Sequence, residues 1–224
     1  MSERIYTPTQ AEVKSTVDRF YKTPAEVVQI FSLHHQHRQV FRVREPNGDD
    51  AVLKVRKDDE AGNRETWLIN QLIRSYRFSG AKFPSVYGLT YEGRIAMRMP
   101  YLGPNLQEIA QDLDAASVEH FETPPDVSVG FTPSQIDMLA ERLRKDHINF
   151  AQKSGLIHGD IIQPHNNPTN VVYNEDQRVL FLVDGEALAP VDDEREDRFH
   201  TQLDSLREWM YLNLEASVPA AVIR

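Results

Sequence analysis

The pattern of apolar and polar positions divides the chain into a strand-rich first part and a helix-rich second part. Apolar residues at helical spacing predict a first helix over residues 10–22, and Thr23 followed by Pro24 predicts the start of a second, short helix. Apolar and polar positions then alternate over residues 39–45 and 51–56. A Pro-Asn-Gly-Asp turn separates these two runs, so they predict a hairpin.

Three further segments complete the strand-rich part. Residues 60–77 carry apolar side chains on one helical face and predict a helix. Residues 85–91 and 94–99 flank a Glu-Gly turn and predict a second hairpin. Residues 100–104 contain two prolines, which cannot continue a strand, so this segment indicates a connector.

Helical periodicity dominates the second part. It predicts a short helix over residues 105–112 and a long one over residues 133–153, with Thr132 as N-cap and Gly155 ending the helix. Residues 113–131, between these helices, are irregular and acidic and indicate a surface insertion. The remaining predicted elements are three short buried strands and a last helix, at residues 156–158, 170–173, 179–183 and 199–214.

Composition narrows the class of protein. The 224 residues, 40% hydrophobic and 26% charged, suffice for one large domain or a compact two-lobed one. The formal charge of −9 disfavours nucleic-acid binding, and the acidic run 192–197 indicates a solvated loop. The lack of cysteine excludes disulfides, thiolate metal sites and a cysteine nucleophile. No apolar run reaches the ~20 residues of a membrane helix, and the first residues carry no apolar leader, so we expect a cytoplasmic protein without membrane contacts.

Polar residues suited to metal chemistry follow the short apolar runs of the second part. Asp160 comes after the first run, Asn170 begins the second, and Asp184 follows the third. Two carboxylates and an amide oxygen are hard ligands of the kind that magnesium shares with substrate phosphates. These three residues are therefore candidate magnesium and catalytic residues.

A lysine in the first part is a candidate cation for the same chemistry. Lys54 is the only lysine within a strand-like apolar run, residues 51–55. A buried lysine needs an anionic partner, which Glu65 on the next predicted helix supplies, with Glu60 as a competing acid.

Each of these residues alone has an ordinary structural explanation. Asp160 and Asp184 can simply cap turns, Lys54 can be a strand lysine whose head group reaches water, and Glu65 can be a helix-surface acid. Their order and spacing together are more specific. Phosphoryl transfer needs a cation on the donor phosphates, metal ligands, and a base at the acceptor hydroxyl.

Over residues 38–214 this arrangement resembles the protein-kinase-like superfamily. The segment ending in Lys54 resembles the strand with the phosphate-binding lysine, and Glu65 resembles its helix partner. The His-Gly-Asp motif ending in Asp160 resembles the catalytic loop, and Asn170 the metal-binding asparagine. Asp184, in Asp-Gly-Glu, stands in the place of the Asp-Phe-Gly aspartate.

The resemblance extends to the connector and the last helix. Residues 97–106 resemble the gatekeeper, the hinge and the helix after it, with Met99 as the gatekeeper and Tyr101 and Leu102 in the nucleotide-binding hinge. Asp204 resembles the buried helix aspartate that supports the catalytic loop by accepting hydrogen bonds from its backbone amides.

The sequence departs from the family pattern at the asparagine. The family places it five residues after the catalytic aspartate, where this chain has His165. We interpret residues 161–169 as an insertion that moves the metal ligand to Asn170. Asn166 and Asn167 are the rival candidates.

Two further departures concern larger segments. Residues 32–38, where the family has a glycine-rich loop, contain no glycine, although His34, His35 and His37 could contact phosphate or a metal ion. The segment after Asp184 is short, so we expect the protein to lack the large helical subdomain that usually completes a protein kinase.

The resemblance implies an α+β, protein-kinase-like two-lobed fold in one domain, 1–224. Its parts would be an antiparallel β N-lobe (1–99), a hinge (100–104) and a reduced helical C-lobe (105–224). The implied activity is transfer of the ATP γ-phosphate, with Mg²⁺, to a serine or threonine of a protein substrate. Lys54 would bind the nucleotide phosphates, Asp160 would act as base, and Asn170 and Asp184 would hold the metal.

The small size resembles that of minimal effector kinases that bacterial pathogens deliver into host cells, and of the small kinase of the tRNA-modifying KEOPS complex. Two rival functions stay open at this point. One is a pseudokinase scaffold that binds a partner without catalysis, which the missing glycine loop favours. The other is a small-molecule kinase of the aminoglycoside type, although the substrate-binding helices of that group are missing here. The sequence identifies neither the substrate nor the oligomeric state.

Overall fold

The protein has a mixed α+β fold in two compact units. A computed structural model describes residues 10–21, 24–32, 38–57, 87–91, 94–119, 130–162, 168–183 and 187–215. The boundary between the two units falls between Tyr101 and Leu102.

The first unit is an antiparallel sheet with a helix packed on it. Among the described residues, five strands form the sheet in the order β1-β2-β3-β5-β4, which places β1 and β4 at its two ends. All of its neighbouring strands run antiparallel. The elements in chain order are α1 (Gln10–Phe20), β1 (Glu26–Ser32), β2 (Arg38–Arg44), β3 (Asp50–Lys57), β4 (Tyr87–Tyr91) and β5 (Arg94–Pro100).

The core of the first unit lies between α1 and one face of the sheet. Val13 and Val17, which are one turn apart on α1, are almost fully buried. Alternate residues of the central strands face them, as period-2 side-chain orientation requires. These buried strand residues are Phe41, Val43, Ala51, Leu53, Val55 and Ala96. Lys54, between two of them in sequence, therefore belongs to the opposite face.

Both predicted hairpins are confirmed, and one predicted helix is wrong. Strands β2 and β3 flank the Pro-Asn-Gly-Asp turn, and β4 pairs with β5. The short helix predicted at Thr23-Pro24 is replaced by strand β1. This strand does not alternate apolar and polar residues, because its outward positions include Val28 and Ile30, which are 39% and 40% exposed. Helical capping residues before it were therefore a misleading signal.

The second unit combines three described helices with two strand pairs. Strand β6 pairs with β9, and β7 pairs with β8, all antiparallel. The helices are α2 (Leu106–Glu119), α3 (Pro133–Ser154) and α4 (Asp193–Leu214). The strands are β6 (Leu156–His158), β7 (Val171–Asn174), β8 (Val179–Leu182) and β9 (Leu188–Pro190).

The ends of the helices follow local capping chemistry. Thr132 and Gln135 form a reciprocal capping box at the start of α3, and Gly155 ends that helix with a left-handed φ of 68°. Asp192 caps α4 by accepting a hydrogen bond from the Arg195 amide. The acidic run predicted as a loop instead forms the first turn of α4, where negative charge interacts favourably with the helix N-terminus. Helix α2 is also longer than predicted and reaches Glu119.

The core of the second unit is built around α4. Its apolar residues at helical spacing are completely or almost completely buried, which confirms the predicted apolar face of this helix: Phe199, Leu203, Leu206, Met210 and Leu214. Strand β8 is buried at every position. Across the described segments, no helix combines the length and the apolar character needed to cross a bilayer.

Candidate functional site

The second unit brings Asp160 and Asn170 together. Asp160 follows strand β6, and Asn170 directly precedes β7. The Asn170 Nδ2 atom donates to the Asp160 carbonyl oxygen at 3.0 Å and to its carboxylate Oδ2 at 3.2 Å. Asn170 is 6% exposed, whereas Asp160 is partly exposed. The pair thus presents a carboxylate whose backbone and side chain are both fixed by one buried amide.

The backbone of this loop is held at four consecutive amides. His158 N donates to His147 Nε2 at 2.9 Å, and Gly159 N donates to the Ala187 carbonyl at 2.9 Å. Asp160 N donates to His158 Nδ1 at 3.3 Å. Ile161 N donates to Gln202 Oε1 at 3.1 Å. Every N–H from His158 to Ile161 therefore has an acceptor within the second unit.

His147 is enclosed in the interior of the second unit. It lies on α3 and is 4% exposed, and its ring stacks on Phe199 with centroids 4.5 Å apart. Burial, with a smaller electrostatic contribution from His158, lowers the pKa of His147 to about 3. The imidazole is therefore neutral at physiological pH, and its Nε2 acts as a hydrogen-bond acceptor.

The predicted role of Asp204 is wrong. Its side chain is 67% exposed and forms a surface ion pair with Arg144 of α3. Asp204 lies beside the buried stripe of α4 rather than on it, so it does not reach the loop. Gln202, on the same helix, contacts the loop instead.

The end of the connector packs on strand β7 within the second unit. Asn174 Nδ2 donates to the Leu102 carbonyl at 2.7 Å, and Tyr173 N donates to the Pro104 carbonyl at 3.0 Å. Gly103 has a φ of 135°, and a Cβ atom there would lie 2.0 Å from the Tyr173 carbonyl oxygen. Only glycine fits this contact.

In the first unit, Lys54 shares one face of the sheet with the predicted gatekeeper. Lys54 lies opposite Met97, and Val52, two residues earlier on the same strand, lies opposite Met99. Residues two apart on a strand face the same side, so Lys54 and Met99 belong to one face. Lys54 is only 3% exposed.

An aromatic–cation cluster lies on the same face of the sheet, because Arg42 pairs with Val52. The Arg42 guanidinium carbon lies 3.9 Å from the centre of the Tyr101 ring, and Phe31 stacks on the same ring with centroids 6.4 Å apart. Asp50 accepts hydrogen bonds from Arg42 and Arg44. These guanidinium groups hold the pKa of the Asp50 carboxyl below its usual range. Tyr101, the predicted hinge tyrosine, is thus held by an arginine.

Several predicted site residues lie outside the described residues. These are Glu65, Asp184, the rival asparagines Asn166 and Asn167, and the histidines His34, His35 and His37. Val183 is the last described residue before Asp184, and its amide donates to the Asn170 carbonyl at 2.9 Å.

Asp160 and Asn170 offer oxygen atoms of the kind that could contribute to holding a magnesium ion. The Asn170 amide nitrogen is used on Asp160, which leaves its Oδ1 atom, with the Asp160 carboxylate, as hard oxygen ligands. Among the residues that the structure describes, no group of three histidine, aspartate or glutamate side chains forms a metal site. Asp184 would supply the further carboxylate.

No protein-family model matches the chain, and no curated protein matches it significantly.

Proposed function

We propose that the protein is an ATP-dependent phosphotransferase of the protein-kinase-like kind that acts on a hydroxyl group, with serine or threonine of a protein as the acceptor. The observation that carries this proposal is the pairing of Asp160 and Asn170 through two hydrogen bonds across ten positions of sequence. A fixed carboxylate beside an amide oxygen provides a proton acceptor and a metal ligand at one place.

In this proposal, residues of the second unit supply the proton acceptor and the metal ligands. Asp160 orients the acceptor hydroxyl and takes its proton. Asn170 holds the Asp160 side chain through Nδ2 and presents Oδ1 to magnesium, together with Asp184. The metal that these residues would hold would supply positive charge against the negative charge of the phosphates.

The residues of the first unit supply the nucleotide contacts in this proposal. The phosphate-binding lysine of protein kinases belongs to the third strand, and Lys54 lies on β3 of this chain. Its burial on the same sheet face as Met99 supports a role beyond that of a surface cation. Tyr101, and Leu102 at the start of the second unit, would border the nucleotide base, and Glu65 would pair with Lys54.

The test is the transfer of radiolabelled phosphate from ATP with magnesium. We expect wild type to release or transfer the γ-phosphate. Asp160→Asn keeps the side-chain volume, and its rate of phosphate transfer should be lower by about 100-fold or more. Asp184→Ala should behave in the same way because it removes the second metal ligand. Undiminished turnover by Asp160→Asn would contradict the assignment.

The same experiment separates the rival functions. Nucleotide binding with no transfer in wild type would indicate a pseudokinase scaffold. Transfer to an aminoglycoside but to no protein would indicate a small-molecule kinase. Phosphoproteomics of cells that express wild type or Asp160→Ala would then identify the protein acceptor.

A further inference from the structure

Two side chains from two different helices accept hydrogen bonds from the loop that carries Asp160. His147 of α3 accepts the amide hydrogen of His158, two residues before Asp160. Gln202 of α4 accepts the amide hydrogen of Ile161, the residue after Asp160. We call His147 and Gln202 the loop clamp, because their two contacts bracket Asp160 on both sides.

The chemistry of the clamp requires acceptors at both positions. A main-chain N–H can only donate, so the partner atom needs a lone pair. Neutral imidazole provides one at Nε2, and a carboxamide provides one at Oε1. His158 and Ile161 are 1% and 0% exposed, so water cannot easily replace either acceptor.

The orientation of the His147 ring is fixed by the rings that pack against it. Its ring stacks on Phe199 of α4 and lies at a tilt against Phe150 of its own helix, with centroids 5.4 Å apart. The ring is also edge-on to His158, at 6.2 Å between centroids. Three aromatic neighbours therefore determine the direction in which Nε2 points.

We propose that His147 and Gln202 are positioning residues, which set the backbone of residues 158–161 and so hold the Asp160 carboxylate in register with Asn170. This inference rests on the proposed function and goes beyond it, since neither residue belongs to the kinase motifs. They replace the helix aspartate that the resemblance assigned to this task. Their contribution is to the placement of the base and not to nucleotide binding.

The first test compares turnover among variants that keep or lose an acceptor. Gln202→Leu and His147→Leu remove the acceptor, whereas Gln202→Glu and His147→Gln retain one at a similar distance. We expect kcat for magnesium-dependent ATP hydrolysis to fall about 10-fold to 100-fold in the leucine variants, with KM for ATP unchanged, because a displaced base slows only the chemical step. The acceptor-retaining variants should recover most of kcat. An unfolded fraction would also lower the apparent kcat at constant KM, so kcat is normalised to the folded fraction, which a thermal melt of each variant measures.

The matched control is Asp204→Ala, on the same helix as Gln202. The Asp204 side chain is exposed and forms an ion pair with Arg144, away from the loop, so kcat of the Asp204→Ala variant should equal that of wild type. If Asp204→Ala loses turnover while Gln202→Leu keeps it, the clamp assignment is overturned in favour of the helix aspartate.

The second test reads the loop directly and does not depend on activity. Amide hydrogen exchange, resolved by residue, should show His158 and Ile161 protected in wild type. Exchange at Ile161 should rise at least 10-fold in Gln202→Leu and return toward wild type in Gln202→Glu. Unchanged protection at Ile161 in Gln202→Leu would overturn the clamp, even if His147→Leu fails to fold.

The outcomes of the two tests are distinguishable. Loss of turnover in Asp160→Asn with normal turnover in both leucine variants overturns the clamp and leaves the proposed function standing. Wild type without any ATP turnover overturns the proposed function, while the exchange rates still decide whether the two side chains hold the loop.

Discussion

Lys54 is a basic residue that is almost completely buried, so its substitution should affect ATP turnover without preventing folding. Lys54→Met keeps an unbranched chain of similar length, so we expect the variant to fold and to melt cooperatively. ATP turnover should fall about 100-fold or more, because a charged donor to the phosphates is lost. Turnover and a thermal melt, measured on the same preparation, check this prediction.

The control is Lys14→Met on α1, which removes an exposed lysine that pairs with Asp18. Its turnover should match that of wild type. Equal turnover in Lys54→Met and Lys14→Met would contradict the assignment of Lys54 as the phosphate-binding cation.

Asn170 distinguishes the two possible positions of the insertion. Asn170→Ala removes both hydrogen bonds to Asp160 and the proposed metal ligand, so turnover should fall about 100-fold. Asn166→Ala and Asn167→Ala, measured beside it under saturating magnesium, should be close to wild type. The reverse ranking would mean that the metal-binding asparagine lies inside the segment interpreted as an insertion.

At the residue scale, the sequence predicted that Asp160 and Asn170 belong to one site but not which side chains support their loop. Asp160 and Asn170 were recognisable because their motif is local. His147 and Gln202 were missed because their contacts span 11 and 41 positions and depend on how the helices pack. A signal was present for Gln202, which borders the apolar stripe of α4, whereas Asp204 lies about a third of a turn away from its centre.

At the scale of elements, the segment from Leu102 to Asn105 packs on strand β7 through two hydrogen bonds and a β-bridge. The Asn174 side chain donates to the Leu102 carbonyl, and the Tyr173 amide donates to the Pro104 carbonyl. Asn105 forms an isolated β-bridge with Val172. Gly103 lies within this segment, against the Tyr173 backbone. The close approach therefore depends on the absence of a side chain.

Gly103→Ala tests this dependence. The added methyl group would overlap a carbonyl oxygen and also requires a strained positive φ, so neighbouring backbone has to move. We expect a loss of about 2–4 kcal/mol in unfolding free energy by chemical denaturation. Gly48→Ala, also at positive φ but in open space, is the matched control and should lose about 1 kcal/mol. Equal losses would show that strain alone, and not the close approach, determines the effect.

The elements that the sequence predicted well are those with clear apolar periodicity or with capping and turn residues at their ends. Helix α3 has a capping box at one end and a left-handed glycine at the other, and its predicted bounds were accurate to about one residue. Strand β1 was missed because an edge strand with exposed Val28 and Ile30 gives no alternating pattern. The first turn of α4 was mistaken for a loop because its acidic residues look like a solvated run, although they suit a helix N-terminus.

At the scale of the whole molecule, the buried His147 makes stability depend on pH. Its pKa is about 3 in the folded protein, against an ordinary value of 6.5. Between these values the unfolded chain binds a proton that the folded protein does not. The stabilising contribution is therefore complete above pH 6.5 and is lost as the pH falls toward 3.

We expect His147→Gln to remove this dependence while keeping an acceptor for His158. The unfolding free energy of wild type should fall by up to about 1.4 kcal/mol more per pH unit than that of the variant, below pH 6.5. Denaturant unfolding of both proteins at several pH values between 4 and 7.5 measures the difference, in which the other titrating groups largely cancel. Parallel curves would contradict a buried, neutral His147.

The four satisfied amides of the loop also limit how an anion can be received beside Asp160. In many phosphate sites, successive backbone N–H groups point outward and form a nest for the oxygens. Here each N–H from His158 to Ile161 already donates to a protein atom, so the main chain offers no such nest. A phosphate near Asp160 would therefore receive no main-chain N–H from residues 158–161. Inorganic phosphate without magnesium should therefore leave the amide resonances of these residues unshifted.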